Sequence, residues 1–254
     1  MRGLKVLMMR HARSDFNEIT MRSTGIHNFS SRAPFLKDAK LSYKGVIECR
    51  ELGKTFQELG IKLIFVSPMR RCLETAFYIF DGLKSAHYPK IIVNPNLMER
   101  VARIVELPTF FTEAMKMSQY KHFDFSGMKQ AMLSPLWDFP LYDEHREIAQ
   151  ELLSFTNRDE RKNYLLKFPY FEKKDDAESL IETTLQDRIE AFEEEFNIFI
   201  ENYRLKEEVN DHQVLLISHF NWIIEYVQMK KFHIKDLEQE LLNLKTLSVE
   251  MSLP

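Results

Sequence analysis

Lys5-Val6-Leu7-Met8-Met9 is an unbroken apolar-rich run that ends abruptly in Arg10-His11-Ala12-Arg13-Ser14-Asp15-Phe16-Asn17. Three further runs share its character, at residues 63–67, 90–94 and 213–218. Each is rich in Val, Ile, Leu or Met and is apolar nearly throughout. A strand that faces water on one side alternates polar and apolar residues, whereas a strand covered on both faces does not. The four runs therefore predict strands of a mostly parallel sheet buried between helices. The intervening segments support this. Residues 42–59 bring Val46, Cys49, Leu52, Phe56 and Leu59 to one face at helical spacing, and residues 71–83 do the same with Leu73, Ala76, Phe77 and Phe80. Alternation of strand and helix predicts the α/β class.

Residues 101–176 read differently. Strand signals are few, and Phe110, Phe111, Met115, Met117, Phe123, Phe125, Met128, Met132 and Trp137 crowd the segment between Pro108, Pro135, Pro140 and Pro169. The expectation is a mainly helical insertion or cap within one domain, its Met and Phe serving as packing. Residues 178–201 predict one long helix, residues 236–245 a short one, and residues 246–251 a last strand. Glu193, Glu194 and Glu195 read as the solvated face of the long helix.

Composition narrows the function classes. The chain has 254 residues, a net charge of −3, 44% apolar residues and only two cysteines. That is too apolar and too nearly neutral for a disordered chain. Cys49 and Cys72 suit neither a disulfide scaffold nor a metal site. Near-neutrality gives no reason to expect a nucleic-acid partner. Seven glycines in 254 residues, about 3% against a usual level near 7%, argue against a Gly-rich phosphate cradle, and neither GxGxxG nor GxxxxGK[ST] occurs. No apolar run approaches the length of a membrane span. The first ten residues are interrupted by Lys5 and make a poor secretory signal, so the default expectation is a cytoplasmic location.

Chemistry concentrates where predicted strands end, the usual place for ligands in open α/β sheets. Arg10 and His11 follow the first run, Arg70 and Arg71 the second, and Ser218-His219-Phe220-Asn221 the last. Two histidines and at least two arginines at one sheet edge suit an anionic substrate. Guanidinium groups bind phosphate in a bidentate fork, and a neutral imidazole can attack phosphorus. Arg70 and Arg71 are adjacent, so one is expected to face the site and the other to be a solvated residue at a helix start. Arg13 suits either a substrate contact or a surface charge. His27, His87, His122, His145, His212 and His233 are assigned no role.

The ordered set of motifs resembles the histidine phosphatase superfamily, which includes the cofactor-dependent phosphoglycerate mutases. Arg10, His11, Ser14 and Asn17 match an opening Arg-His-Gly-x-Ser-x-x-Asn, with Ala12 for the glycine. Leu41, Ser42 and Gly45 match a Leu-Ser-x-x-Gly preceded by Asp38. Ser67, Pro68, Arg71, Thr75 and Ala76 match Ser-Pro-x-x-Arg-x-x-x-Thr-Ala, which selects Arg71 over Arg70. Leu97 and Glu99 match a Leu-x-Glu. Glu178, Ser179 and Arg188 match a Glu-Ser with a later Arg; Ser218 and His219 match the final Ser-His; Asn243 resembles an Asn before the last strand.

The resemblance implies a single phosphoglycerate mutase-like three-layer domain over residues 1–254. It also implies a two-step phosphoryl transfer with no metal and no cofactor. His11 would become a phosphohistidine. Arg10, Arg71 and His219 would hold the phosphoryl oxygens, with Asn17 beside them. Glu99 would be the general acid and then the base, with Glu106 and Asp124 as other carboxylates able to serve. The expected substrate is a phosphorylated small molecule or a phosphoprotein. Three activities stay open: a phosphatase, a phosphoglycerate mutase-type phosphotransferase, and a low-activity or inactive member serving as a structural subunit of a larger assembly; a homo-oligomer or an assembly partner is open as well. Phe220 stands where the family carries a small, flexible turn. It would either narrow the pocket or fold away from it.

Overall fold

The apolar run at the start becomes β1 (Leu4–Arg10), and the others become β2 (Leu63–Val66), β3 (Lys90–Val93) and β5 (Val214–Ser218). Two more strands, β4 (Phe123–Asp124) and β6 (Leu247–Met251), complete a six-stranded sheet of order β4-β3-β2-β5-β1-β6. The first five positions are parallel, and only β6 runs antiparallel, against β1. The computed structural model describes residues 4–22, 36–83, 88–99, 108, 110–128, 160, 185–206, 214–232, 237 and 247–251.

Helices cover both faces. They are α1 (Asp15–Arg22), α2 (Tyr43–Glu58), α3 (Arg70–Phe80), the short α4 (Phe111–Ala114), α5 (Leu185–Lys206) and α6 (Phe220–Met229). Strand residues divide strictly by parity. Leu7, Met9, Ile64, Val66, Ile91, Val93, Leu215 and Ile217 pack with Cys49, Phe56, Leu73, Ala76 and Phe80 of α2 and α3. Val6, Met8, Leu63, Phe65, Ile92, Val214 and Leu216 pack with Phe192, Phe196, Trp222 and Tyr226 of α5 and α6. That is why the runs lack alternation: both faces are core, giving a three-layer sandwich. The phenylalanines concentrate in the second layer. Phe65 lies 5.9, 5.2 and 5.4 Å, ring to ring, from Phe192, Phe196 and Phe199. Such edge-on aromatic contacts add to plain area burial.

The segment expected as an insertion enters the sheet domain in its described part. Phe110, Phe111, Ala114, Tyr120, Phe123 and Met128 join the first core layer, and Phe123 pairs with Ile91 at the sheet edge. A two-residue strand is too short to leave a periodicity in sequence. Most of residues 101–176, the expected helix at 236–245 apart from Leu237, and residues 178–184 lie outside the described residues. Among the described residues, no helix is long and apolar enough to cross a membrane.

Register positions the chemistry. Arg10 pairs with Ser218, and the Ser67 N–H donates to Ile217 O at 3.0 Å. The C-terminal ends of β2, β5 and β1, three neighbours in the sheet, therefore finish side by side. The loop after β1 is fixed from α2. Ser42 N donates to Arg13 O at 2.9 Å, and Ser42 Oγ caps the helix by accepting from Gly45 N at 3.1 Å. A Cβ on Gly45 would sit 2.1 Å from Arg13 O. Gly45→Ala must therefore push the backbone of the His11 loop aside. We expect a loss of about 1–3 kcal/mol, read as a drop of several degrees in Tm.

Candidate active site

Arg71 is the hub of the site. It lies one residue inside α3, is 8% exposed, and reaches both imidazoles that the strand ends deliver. Its Nε donates to His11 Nε2 at 3.1 Å, and its Nη2 lies 3.1 Å from His219 Nδ1. The two rings are 5.2 Å apart, centroid to centroid. A guanidinium can only donate, so both ring nitrogens that face it are acceptors. The protons sit on the opposite sides. His11 Nδ1 donates to Ala12 O at 2.7 Å, and His219 Nε2 donates to Ser67 Oγ at 2.9 Å. Both tautomers follow from the donor–acceptor balance.

Electrostatics favours the neutral rings. Burial, followed by the charges of Arg71 and Arg10, holds the His11 imidazole well below its ordinary pKa. Burial, then Arg71, His11, Arg10 and Arg188, does the same for His219. The consequence for stability has a definite sign. Unfolded histidines take up protons near pH 6.5 while these two resist, so the unfolded state binds more protons below that pH. Stability is fully present above pH 6.5 and falls as pH drops through it. The slope reaches about 1.4 kcal/mol per pH unit for each of the two histidines. Denaturant titrations of wild type and a His11→Gln, His219→Gln double variant at pH 7.5 and 5.5 check this; the variant should lose most of the acid sensitivity.

Arg10, from the last position of β1, brings a second guanidinium. Burial lowers its pKa and Glu99 opposes that effect. Its Nε is buried and makes no hydrogen bond among the described residues. The guanidinium carbon lies 5.8 Å from the centre of the Phe220 ring. Phe220 thus folds back: it packs partly against the α5–α6 layer and starts α6 in ordinary backbone geometry. Neither Ala12 nor Phe220 adopts a positive φ, so the backbone at these positions has no conformational need for glycine.

Glu99 is buried, at 7% exposure, and attracts both Arg10 and Arg188. Arg188 reaches in from α5 and donates to Met98 O at 3.2 Å and Glu99 O at 3.0 Å; burial lowers its pKa to about 10. Three largely buried guanidiniums, Arg10, Arg71 and Arg188, thus surround one carboxylate and two neutral imidazoles. Among the described residues this cluster is net positive, a charge balance that suits an anionic ligand.

The remaining candidates lie elsewhere. Arg70 turns away from the imidazoles, but it is not simply solvated. It pairs with Glu74 at 2.8 Å and stacks 4.3 Å from the centre of Phe110, while its backbone N–H donates to Asp38 at 2.6 Å. Arg13 pairs with Glu18 and Glu48 at 3.6 and 3.7 Å. The Asn17 amide oxygen accepts from Ser14 N and Oγ at 3.1 and 2.9 Å, which shapes the loop after His11. Asp124 sits on the edge strand β4 and accepts from Ser126 N at 2.9 Å. His122 stacks on Tyr88 at 4.6 Å. Glu106, Glu178, Ser179, Asn243 and the other five histidines lie outside the described residues.

Thr75, Ser67 and Cys72 add contacts that the spacing of motifs does not assign. Thr75 Oγ1 accepts from Ala12 N at 3.0 Å and donates to Arg71 O at 2.6 Å, tying the His11 loop to α3. Ser67 Oγ accepts the proton that Arg71 leaves on His219 Nε2, with the Cys72 thiol 3.4 Å from the same nitrogen. Burial pushes that thiol's pKa up, so it stays protonated. Both Ser67 and Thr75 belong to the Ser-Pro-x-x-Arg-x-x-x-Thr-Ala stretch, which was the signal available.

A family model described as the histidine phosphatase superfamily (branch 1) matches residues 6–133. Among curated proteins, ubiquitin-associated and SH3 domain-containing protein A of Mus musculus is 32% identical over 95 residues, 35% of this chain and 14% of that protein. Ecdysteroid-phosphate phosphatase of Bombyx mori is 33% identical over 75 residues, 29% of this chain and 11% of that protein. The matched stretch is thus a small part of both relatives. The crystal structure of the Bombyx mori ecdysone phosphate phosphatase in complex with tungstate aligns over 92% of this chain and 80% of its own, with 15% identity and a TM-score of 0.41.

Proposed function

Because this chain belongs to the histidine phosphatase superfamily, we propose that it is a metal-independent phosphatase that hydrolyses a phosphate monoester through a phosphohistidine on His11. The observation that carries the reading is the state of His11. Its ring is neutral, its Nδ1 proton is engaged by Ala12 O, and its Nε2 lone pair points at the Arg71 guanidinium. A phosphoryl group held by Arg71 would present phosphorus to that lone pair.

The His11 Nε2 lone pair forms a bond to phosphorus, and the bond from phosphorus to the ester oxygen breaks. The Glu99 carboxylate takes the acidic proton of the bound phosphate monoester and gives it to the departing oxygen. Water then attacks phosphorus, Glu99 takes the water's proton, and the nitrogen–phosphorus bond breaks to release phosphate and restore His11. Arg10 and Arg71 offset the charge on the phosphoryl oxygens in both steps. Asn17 shapes the loop beside them. His219 takes part as a donor once its Nδ1 is protonated, with Ser67 accepting from the other ring nitrogen.

The substrate class is a phosphorylated small molecule or a phosphoprotein, handled in the cytoplasm. Hydrolysis of an aryl phosphate in EDTA that vanishes in His11→Ala supports the reading. Strict dependence on a bisphosphate primer would make the protein a phosphotransferase instead. A wild type inert on a broad phosphoester panel, yet purifying in fixed ratio with partner chains, would make it a structural subunit.

A further inference from the structure

Residues 94–99 run from the end of β3 to Glu99, and side chains from other elements fix them. Four consecutive carbonyls each accept a side-chain hydrogen bond. Asn96 O accepts from Trp222 Nε1 at 2.8 Å, Leu97 O from Ser218 Oγ at 2.7 Å, Met98 O from Arg188 Nη1 at 3.2 Å, and Glu99 O from Arg188 Nη2 at 3.0 Å. Glu195, two turns beyond Arg188 on α5, accepts from Asn94 Nδ2 and Asn96 Nδ2 at 2.7 and 3.3 Å. Glu195 is exposed, as expected of the solvated face of the long helix, and it holds this segment from that face. The last two bonds in the row come from one buried side chain and end at the residue that carries the carboxylate.

The geometry points to Arg188 as a positioning residue for proton transfer: its guanidinium fork fixes the backbone of Met98 and Glu99 and thereby aims the Glu99 carboxyl at the departing ester oxygen. The assignment rests on the phosphohistidine reading, with Glu99 as the acid. A fork that grips two successive carbonyls fixes the direction of the chain as well as its position. A small misplacement of a catalytic group costs rate steeply. A buried arginine used only to support the fold would affect every substrate alike. One that aims an acid matters most when the leaving group needs a proton.

The test compares two monoesters, an alkyl phosphate with a basic leaving group and a dinitrophenyl phosphate whose leaving group departs without help. Arg188→Met and Arg188→Lys are assayed beside wild type, Glu99→Gln and His11→Ala, with circular dichroism to verify folding. Arg188→Lys keeps a buried cation but cannot bridge two carbonyls, so it carries the test if Arg188→Met fails to fold. The expected result is a loss of about 100-fold in kcat/KM on the alkyl ester against about threefold or less on the dinitrophenyl ester, the same selectivity as Glu99→Gln. Equal losses on the two esters, or none, overturn the assignment while leaving the phosphohistidine reading intact. Wild-type rates in His11→Ala overturn that reading and this assignment with it.

Discussion

His11→Ala is expected to lower kcat/KM on any phosphate monoester by about 10⁴-fold or more, the scale on which loss of an enzymatic nucleophile is felt. In the proposed mechanism Arg10, Arg71 and His219 would hold the phosphoryl group and Arg188 would position Glu99, whereas His11 alone would form a bond to phosphorus, from the Nε2 that faces Arg71. Without it, water must attack the ester directly. Arg10 and Arg71 remain, so substrate affinity should fall far less than turnover. The measurement is steady-state hydrolysis of an aryl phosphate in EDTA, with kcat and KM resolved. A variant that keeps kcat but loses KM would show that His11 only binds.

Arg71→Met carries the second largest effect, a loss of about 10³-fold, in the range seen when one preorganised donor to a developing charge is removed. A change in pH dependence accompanies it. Burial is the main cause of the low His11 pKa, and the Arg71 charge is the next. Removing that charge raises the proton affinity of His11. The nucleophile must be neutral, so the acid limb of kcat/KM moves to higher pH in Arg71→Met. Arg71→Lys restores a cation but cannot span two imidazoles. It should keep the limb near its wild-type position while remaining slow. An unmoved limb in Arg71→Met would contradict the electrostatic account of His11.

The sheet was legible from sequence because its central strands are covered on both sides, so their runs are apolar without alternation. Arg71 was chosen over Arg70 by motif spacing, and the structure turns Arg71 toward both imidazoles and Arg70 toward Glu74 and Phe110. What sequence left unread has two physical sources. Some contacts join residues far apart in the chain, such as Ser67 with His219, Thr75 with Ala12 and Arg188 with Glu99, and no periodicity records them. Other features are too short to leave a pattern, as with the two residues of β4. The scarcity of glycine acquires a local meaning as well. Gly45 stays because Arg13 O leaves no room for a Cβ, while the positions of Ala12 and Phe220 ask nothing of the backbone that a side chain forbids.

Stereochemistry at phosphorus separates a path through phospho-His11 from direct attack by water. An aryl phosphorothioate made chiral at phosphorus with two oxygen isotopes is hydrolysed in water of the third, and the configuration of the released thiophosphate is determined. Two in-line displacements, first by His11 and then by water, predict net retention. Inversion would mean that water attacks the ester in a single step, and would contradict a phosphohistidine on the path.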